Sequence, residues 1–423
     1  MKTKGVRLYG KKDLRLEEFE LPPIKDDEIL AHIVSDSICM SSYKETMQGS
    51  DHKRVPEGID KNPVIIGHEF CGEILEVGKK WKKKFKAGKK FAIQPNIKWP
   101  GMVNGLGAPG YSYPYIGGAA TYIVIPNEVM EQNCLLDYEN EAFFYGSVAE
   151  PMSCIVAGFK AFYHIEENYI HHMGVIPGGD MAILAGVGPM GLGAIDYALH
   201  NDDKRPGRLV VTDIDESRLK RAESIYSVEE AEKEGIELIY VNTKTVDDPV
   251  AYLISLTDGK GYDDVFVYAP VRPVVEQGDK ILGWDGCLNF FAGPTDNQFS
   301  ATLNFYDVHY MSHHIAGSSG GNTDDMVHAL RLMGTGRVNP VAMITHVGGL
   351  DAAAPATMNL PNIPGGKKLI YTNISMELTA LDDFKEKGES NSMFAELAEI
   401  IEKNNGLWSV EAEKYLLANA EPI

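Results

Sequence analysis

The sequence predicts an α/β protein in which a β-rich domain is joined to a doubly wound parallel sheet. A glycine turn, Gly186-Val187-Gly188-Pro189-Met190-Gly191, lies between an apolar run and a helical pattern. Strand and helix signals alternate from there to about residue 318. The first third instead shows short strands broken by Gly and Pro.

In that first third the strand signals fall at 6–9, 28–34, 73–77, 90–93 and 122–125. Next, residues 181–185 (MAILA) read as a buried parallel strand and 190–199 as the helix after it. Glycines at this spacing permit a tight turn, close approach of backbone to a phosphate, and close packing of helix on strand. The helix N-terminus would then hold a dinucleotide pyrophosphate. A second strand, 208–212, ends at Asp213, placed to accept hydrogen bonds from ribose hydroxyls and to repel a 2′-phosphate. NAD(H) is therefore the expected cofactor. NADP(H) stays open because Arg218 and Arg221 follow closely. Further strands at 236–241, 264–269, 287–292 and 314–318 complete six. After residue 335 the pattern returns to short strands, 343–347 and 368–372, and ends in a charged helical stretch. The expected domains are 1–157, 158–334 and 335–423, the last returning to the first.

Four side chains suit a metal: Cys39, His68, Glu69 and Glu150. A thiolate, an imidazole and a carboxylate together favour zinc, and few protein ligands leave room for a substrate oxygen. The two glutamates are not separable from sequence: one ligates while the other waits outside, or both bind. The other cysteines, 71, 134, 154 and 287, read as small core residues.

Composition narrows the function. The chain has 423 residues, 44% of them hydrophobic, enough for two or three cored domains. A net charge of −20 argues against nucleic acid or an anionic membrane as partner. Five cysteines without a CxxC pair suit a reducing compartment. No apolar signal or transmembrane-length run occurs, so a cytoplasmic protein is expected.

The anchors Gly67-His68-Glu69 with Gly72-Glu73 and Val77-Gly78, then Gly117-Gly118-Ala119-Ala120-Thr121-Tyr122, Glu150-Pro151 and residues 286–293, stand ahead of and around the glycine turn. On these the chain resembles the zinc-containing medium-chain alcohol dehydrogenases over roughly residues 1–350. The resemblance implies a GroES-like catalytic domain with a Rossmann domain, one catalytic zinc, a nicotinamide cofactor and a dimer or tetramer. The segments 304–310 and 319–326 and the tail from Trp408 resemble the sugar-phosphate and polyol reductases. The implied reaction is reduction of L-sorbose 1-phosphate at C2 to D-glucitol 6-phosphate. The alternatives are another polyol, sugar-phosphate or amino-alcohol substrate, or a non-catalytic dinucleotide sensor. Intact metal and proton-path residues argue against the sensor.

Two departures matter. Many family members hold a structural zinc in a four-cysteine lobe, but residues 94–118 contain no cysteine. The family's Asp three residues after the cysteine is here Ser42, which puts the support of the metal ligands in question. Ser41 stands where the family has a proton-passing hydroxyl, with Tyr43 or Lys44 as onward carriers. Lys44 is also a candidate for facing a substrate phosphate. The eight lysines in 79–90 read as a solvated loop. The pairs His171-His172 and His313-His314 read as structural, since neighbouring side chains point apart.

Overall fold

A computed structural model describes residues 1–98, 106–165 and 169–423. It divides into two compact units, Met1–Glu150 with Ile344–Ile423, and Pro151–Met343. The sequence placed these divisions after 157 and 334. Helix Ala149–Lys160 runs unbroken through the first position, and the 3-10 turn Pro340–Met343 still packs on helix Pro189–His200 beyond the second.

The first unit is built on an eight-stranded sheet. Its order is Leu135–Asp137, Lys90–Ile93, Phe70–Val77, Ile29–Ile38, Lys367–Tyr371, Ile344–Gly349 and Thr379–Ala380, with Tyr122–Ile125 also pairing to Ile29–Ile38. The late strand Lys367–Tyr371 lies antiparallel against Ile29–Ile38, with Lys368 opposite Ile38. Residues 330 positions apart in sequence therefore meet where Ile29–Ile38 ends. A smaller sheet holds Asp13–Glu20, Lys2–Gly10 and Val64–Ile65. Ile29, Ile33, Phe70, Phe91, Ile123 and Ile125 fill the core, as alternation on half-buried strands requires.

The second unit is a six-stranded parallel sheet. Its order is Glu237–Asn242, Arg208–Asp213, Asp180–Leu184, Tyr262–Val267, Leu282–Phe290 and His314–Gly317. The first three strands run outward in reverse chain order and the last three in chain order, so the order reverses beside Asp180–Leu184. The glycine turn follows that strand directly.

The lysine-rich segment lies on the surface with local partners: Lys79 meets Asp26, Lys80 meets Glu131, and Lys84 donates to Asn133. His314 binds Asp285 at 2.6 Å, while His171 is exposed. Cys71, Cys134 and Cys287 are buried, Cys154 is half-buried, and all are free thiols.

Candidate metal centre

Strand Ile29–Ile38 delivers Cys39 to the N-cap of helix Met40–Gln48, where its backbone is still extended and its sulfur accepts from the Ser41 amide at 3.5 Å. Gly67 sets the next two residues. Its φ of +90° suits glycine, and an added Cβ would lie 2.5 Å from Asp36 Oδ2 and 2.8 Å from the Ala119 nitrogen. His68 and Glu69 follow as the chain enters strand Phe70–Val77. The donor atoms of Cys39, His68 and Glu69 lie within 4.8 Å of one another, the only such group among the described residues. A sulfur, an imidazole nitrogen and a carboxylate oxygen converging this closely fit zinc.

Each ligand candidate is held by a neighbour. Ser42 Oγ lies 3.4 Å from His68 Nδ1, so a hydroxyl meets the ring where the family's Asp is absent. The Tyr111 hydroxyl lies 3.3 Å from His68 Nε2, with the rings 4.8 Å apart. Glu69 accepts a hydrogen bond from the Ser37 hydroxyl. Both its oxygens take the Lys367 ammonium, at 2.5 and 2.7 Å. Sequence reasoning missed Lys367, Ser37 and Tyr111. No local motif marks them, because strand pairing and loop packing bring them in.

The surroundings are dry: His68, Glu69 and Lys367 are 4%, 1% and 6% exposed. Burial pushes the His68 imidazole down to about 4, leaving it neutral and ready to ligate. Burial and then the Glu69 charge push the Cys39 thiol up to about 12, so a cation is needed to ionise it. Burial alone would lower the Lys367 ammonium, but Glu69, Cys39 and Glu150 outweigh it and hold it above its ordinary value.

Glu150 lies in the first turn of helix Ala149–Lys160 and does not join the three-atom group. Its charge nevertheless acts on Cys39, Lys367 and Tyr111, so it faces the same centre. Ser41 Oγ lies 3.5 Å from the Cys39 sulfur. Tyr43 is half-buried and packs against the apolar cluster of Val6, Leu8 and Ile38. Lys44 lies half-buried one residue on in the same helix.

In the other unit, Gly188 caps helix Pro189–His200. A Cβ at Gly191 would lie 2.0 Å from the Gly186 carbonyl, whereas one at Gly188 would meet nothing within 4 Å. The turn is thus packed on one side and open on the other, a cradle that fits a pyrophosphate. Val187 is buried, with Pro189 and Met190 opening the helix. Asp213 Oδ1 accepts from the amides of Ile214 and Asp215. Its Oδ2 makes no hydrogen bond among the described residues. Arg221 donates to the Ala342 carbonyl, and Arg218 lies 3.6 Å from Asp215.

Comparison with known proteins agrees with this geometry. The profile of the alcohol dehydrogenase GroES-like domain matches residues 25–133, and that of the zinc-binding dehydrogenases matches 189–335. A mannitol-1-phosphate 5-dehydrogenase of Aliivibrio fischeri is 53% identical, over 98% of this chain and 97% of its own. An L-sorbose 1-phosphate reductase of Klebsiella pneumoniae is 49% identical, over 100% of this chain and 98% of its own. The crystal structure of 2R,3R-butanediol dehydrogenase from Bacillus subtilis superposes with a TM-score of 0.70 at 21% identity, covering 88% of this chain and all of that one.

Proposed function

The chain belongs to the zinc-dependent medium-chain dehydrogenases and is an NAD(P)-linked oxidoreductase, and from that premise we propose that its substrate is a ketose phosphate. The reaction we favour is reduction of L-sorbose 1-phosphate to D-glucitol 6-phosphate. Oxidation of mannitol 1-phosphate at C5 is the second reading, favoured by the equally similar Aliivibrio relative. The convergence of Cys39, His68 and Glu69 carries the proposal, since it provides a metal site where a carbonyl oxygen can be polarised.

Cys39 and His68 would hold one zinc, with Glu150 or Glu69 as the carboxylate ligand. Bound zinc supplies Lewis acidity toward the carbonyl oxygen, and the nicotinamide supplies the hydride. The chain's own residues do the rest. Ser42 holds the His68 ring in place. Ser41, beside the Cys39 sulfur, is placed to pass a proton to the product oxygen. Burial around His68, Glu69 and Tyr111 excludes water, which strengthens every charge interaction there. The cradle at Gly186–Gly191 would bind the cofactor pyrophosphate and Asp213 the ribose of NAD(H), with NADP(H) as weaker alternative.

We further infer a homo-oligomer in the cytoplasm. Strand His314–Gly317 is a sheet edge, and Trp284, Phe305, Tyr310 and Ile315 are exposed in the same unit. No described helix is long and apolar enough to cross a membrane.

The test is nicotinamide absorbance with zinc-replete protein across a panel of sugar phosphates, their unphosphorylated parents and amino alcohols. Turnover concentrated on ketose phosphates supports the reading. Equal turnover on the unphosphorylated sugars overturns it, and no turnover on any member would leave a dinucleotide-binding role instead.

A further inference from the structure

Half of the ten arginines of this acidic chain lie close against a carboxylate. Arg7, Arg15, Arg205, Arg208 and Arg331 each meet one within 3.1 Å. Arg54 meets none among the described residues. Its Nη2 donates to the neutral amide oxygen of Asn96 at 3.2 Å, and its Nε is buried without a partner among the described residues. An unpaired buried donor on a cation is costly, so it marks a place where a ligand would complete the hydrogen bonding.

The position of this cation is informative. Its guanidinium lies 5.5 Å from the centre of the Tyr111 ring. That ring is stacked on His52, with centroids 5.5 Å apart and planes 10° from parallel. The same tyrosine contacts His68 through both its ring and its hydroxyl. A single aromatic ring thus separates a candidate zinc ligand from an uncompensated guanidinium. The loop is pinned as well: Ser112 Oγ donates to the Arg54 carbonyl at 2.7 Å and accepts from the Ala108 amide at 3.0 Å.

The local charge is positive although the chain carries −20. Burial, followed by the charges of Arg54, Lys53 and Lys44, pushes His52 down to about 4. Glu45, on which the Arg54 charge acts, is fully buried with no hydrogen-bond partner on either oxygen among the described residues. Burial holds its carboxyl well above the usual carboxylate range, which disfavours the charged form that would offset the guanidinium.

We propose that Arg54, flanked by His52 and Tyr111, is the anchor for the phosphate monoester of the substrate. A guanidinium fork matches phosphate oxygens in pairs, and a neutral imidazole beside it offers one further hydrogen bond. The anchor fixes the anionic end of the sugar while the carbonyl end reaches Cys39 and His68. This rests on the ketose-phosphate reading and adds the residue that enforces it.

The experiment uses zinc-loaded enzyme, the best ketose phosphate of the panel and its unphosphorylated parent. Arg54→Gln should reduce the preference for the phosphorylated sugar, taken as the ratio of kcat/KM values, by roughly 10²-fold, mainly through KM. Arg54→Lys should restore part of it, since an ammonium keeps the charge and loses the fork. Zinc content and melting temperature establish that the variants are folded. Inorganic phosphate should compete with the ketose phosphate on the wild-type enzyme; absence of competition overturns the anchor even if neither variant folds. A wild-type preference that survives in folded Arg54→Gln overturns the anchor alone. A wild-type enzyme indifferent to the phosphate overturns the ketose-phosphate reading and the anchor together.

Discussion

The Lys367 ammonium sits against both carboxylate oxygens of Glu69, at 2.5 and 2.7 Å, with both side chains almost wholly buried. A carboxylate so engaged is neutralised by the protein itself, and any metal beside it must compete with a fixed cation. Glu150, whose charge acts on the same centre, stands outside the three-atom group. Removing only Lys367 would leave a buried charge uncompensated. Lys367→Met should therefore destabilise the zinc-free protein by about 3–5 kcal/mol, with most of that recovered in the double variant carrying Glu69→Gln. Urea unfolding measures both. A single variant as stable as wild type contradicts a buried, ionised pair.

Metal content is the next expectation. One convergent donor group among the described residues and no cysteine between 94 and 118 imply about one zinc per chain. Cys39→Ser should lower zinc occupancy and turnover together while cofactor binding persists. Elemental analysis returning two tightly held zincs, or full activity without metal, would rule out this centre.

The Ser41 hydroxyl lies 3.5 Å from the Cys39 sulfur. Ser41→Ala should slow turnover by roughly 10²–10⁴-fold if it passes the proton. Zinc and cofactor affinities should change little, because Ser41 is itself no ligand of either and its contact with the Cys39 sulfur, at 3.5 Å, is long. The relay is sunk by an unchanged turnover number where a deuterium isotope effect shows chemistry to be rate-limiting.

The C-terminal helices bear on the same centre. Glu413, 2% exposed, accepts from the amides of Phe143 and Phe144 at 2.6 and 2.9 Å and from the Tyr371 hydroxyl at 2.8 Å. Trp408 Nε1 donates to that same hydroxyl. The two amides open the short helix Phe144–Ser147, directly ahead of Glu150. Glu413→Ala leaves three donors unmatched and should cost about 3 kcal/mol. Zinc affinity should fall with it if the turn before Glu150 shifts. Calorimetry and a zinc titration test the two consequences separately, and wild-type values in both would detach the tail from the site.

The sequence was most legible where local pattern decides structure. The strands at 90–93 and 122–125 appear as Lys90–Ile93 and Tyr122–Ile125, and the glycine turn opens a helix as its spacing requires. Strand Asp13–Glu20 was less visible: its alternation is diluted by Arg15, Glu17 and Glu18, and none of its residues is fully buried. Helix Leu350–Asn359 carries Pro355, which ordinarily argues against a helix. At the metal centre the ligand types could be read directly, whereas their supports could not. Lys367 reaches Glu69 through strand pairing across most of the chain, and Tyr111 meets His68 from a loop. Nothing in the spacing of those residues encodes the meeting.

Cofactor choice offers the last prediction, and here two effects oppose each other. Asp213 ends the second strand of the parallel sheet with one carboxylate oxygen turned to its own loop amides and the other making no hydrogen bond among the described residues. That free oxygen favours ribose hydroxyls and repels a 2′-phosphate. The neighbouring arginines would favour the phosphate, but Arg221 is engaged by the Ala342 carbonyl and Arg218 lies near Asp215. With both cations partly occupied, the carboxylate should decide. NAD(H) should be preferred, and Asp213→Ser should shift the balance toward NADP(H) mainly through KM. Steady-state kinetics with both cofactors on both proteins give the ratio. A native preference for NADPH that the substitution leaves unchanged places the deciding contact elsewhere than Asp213.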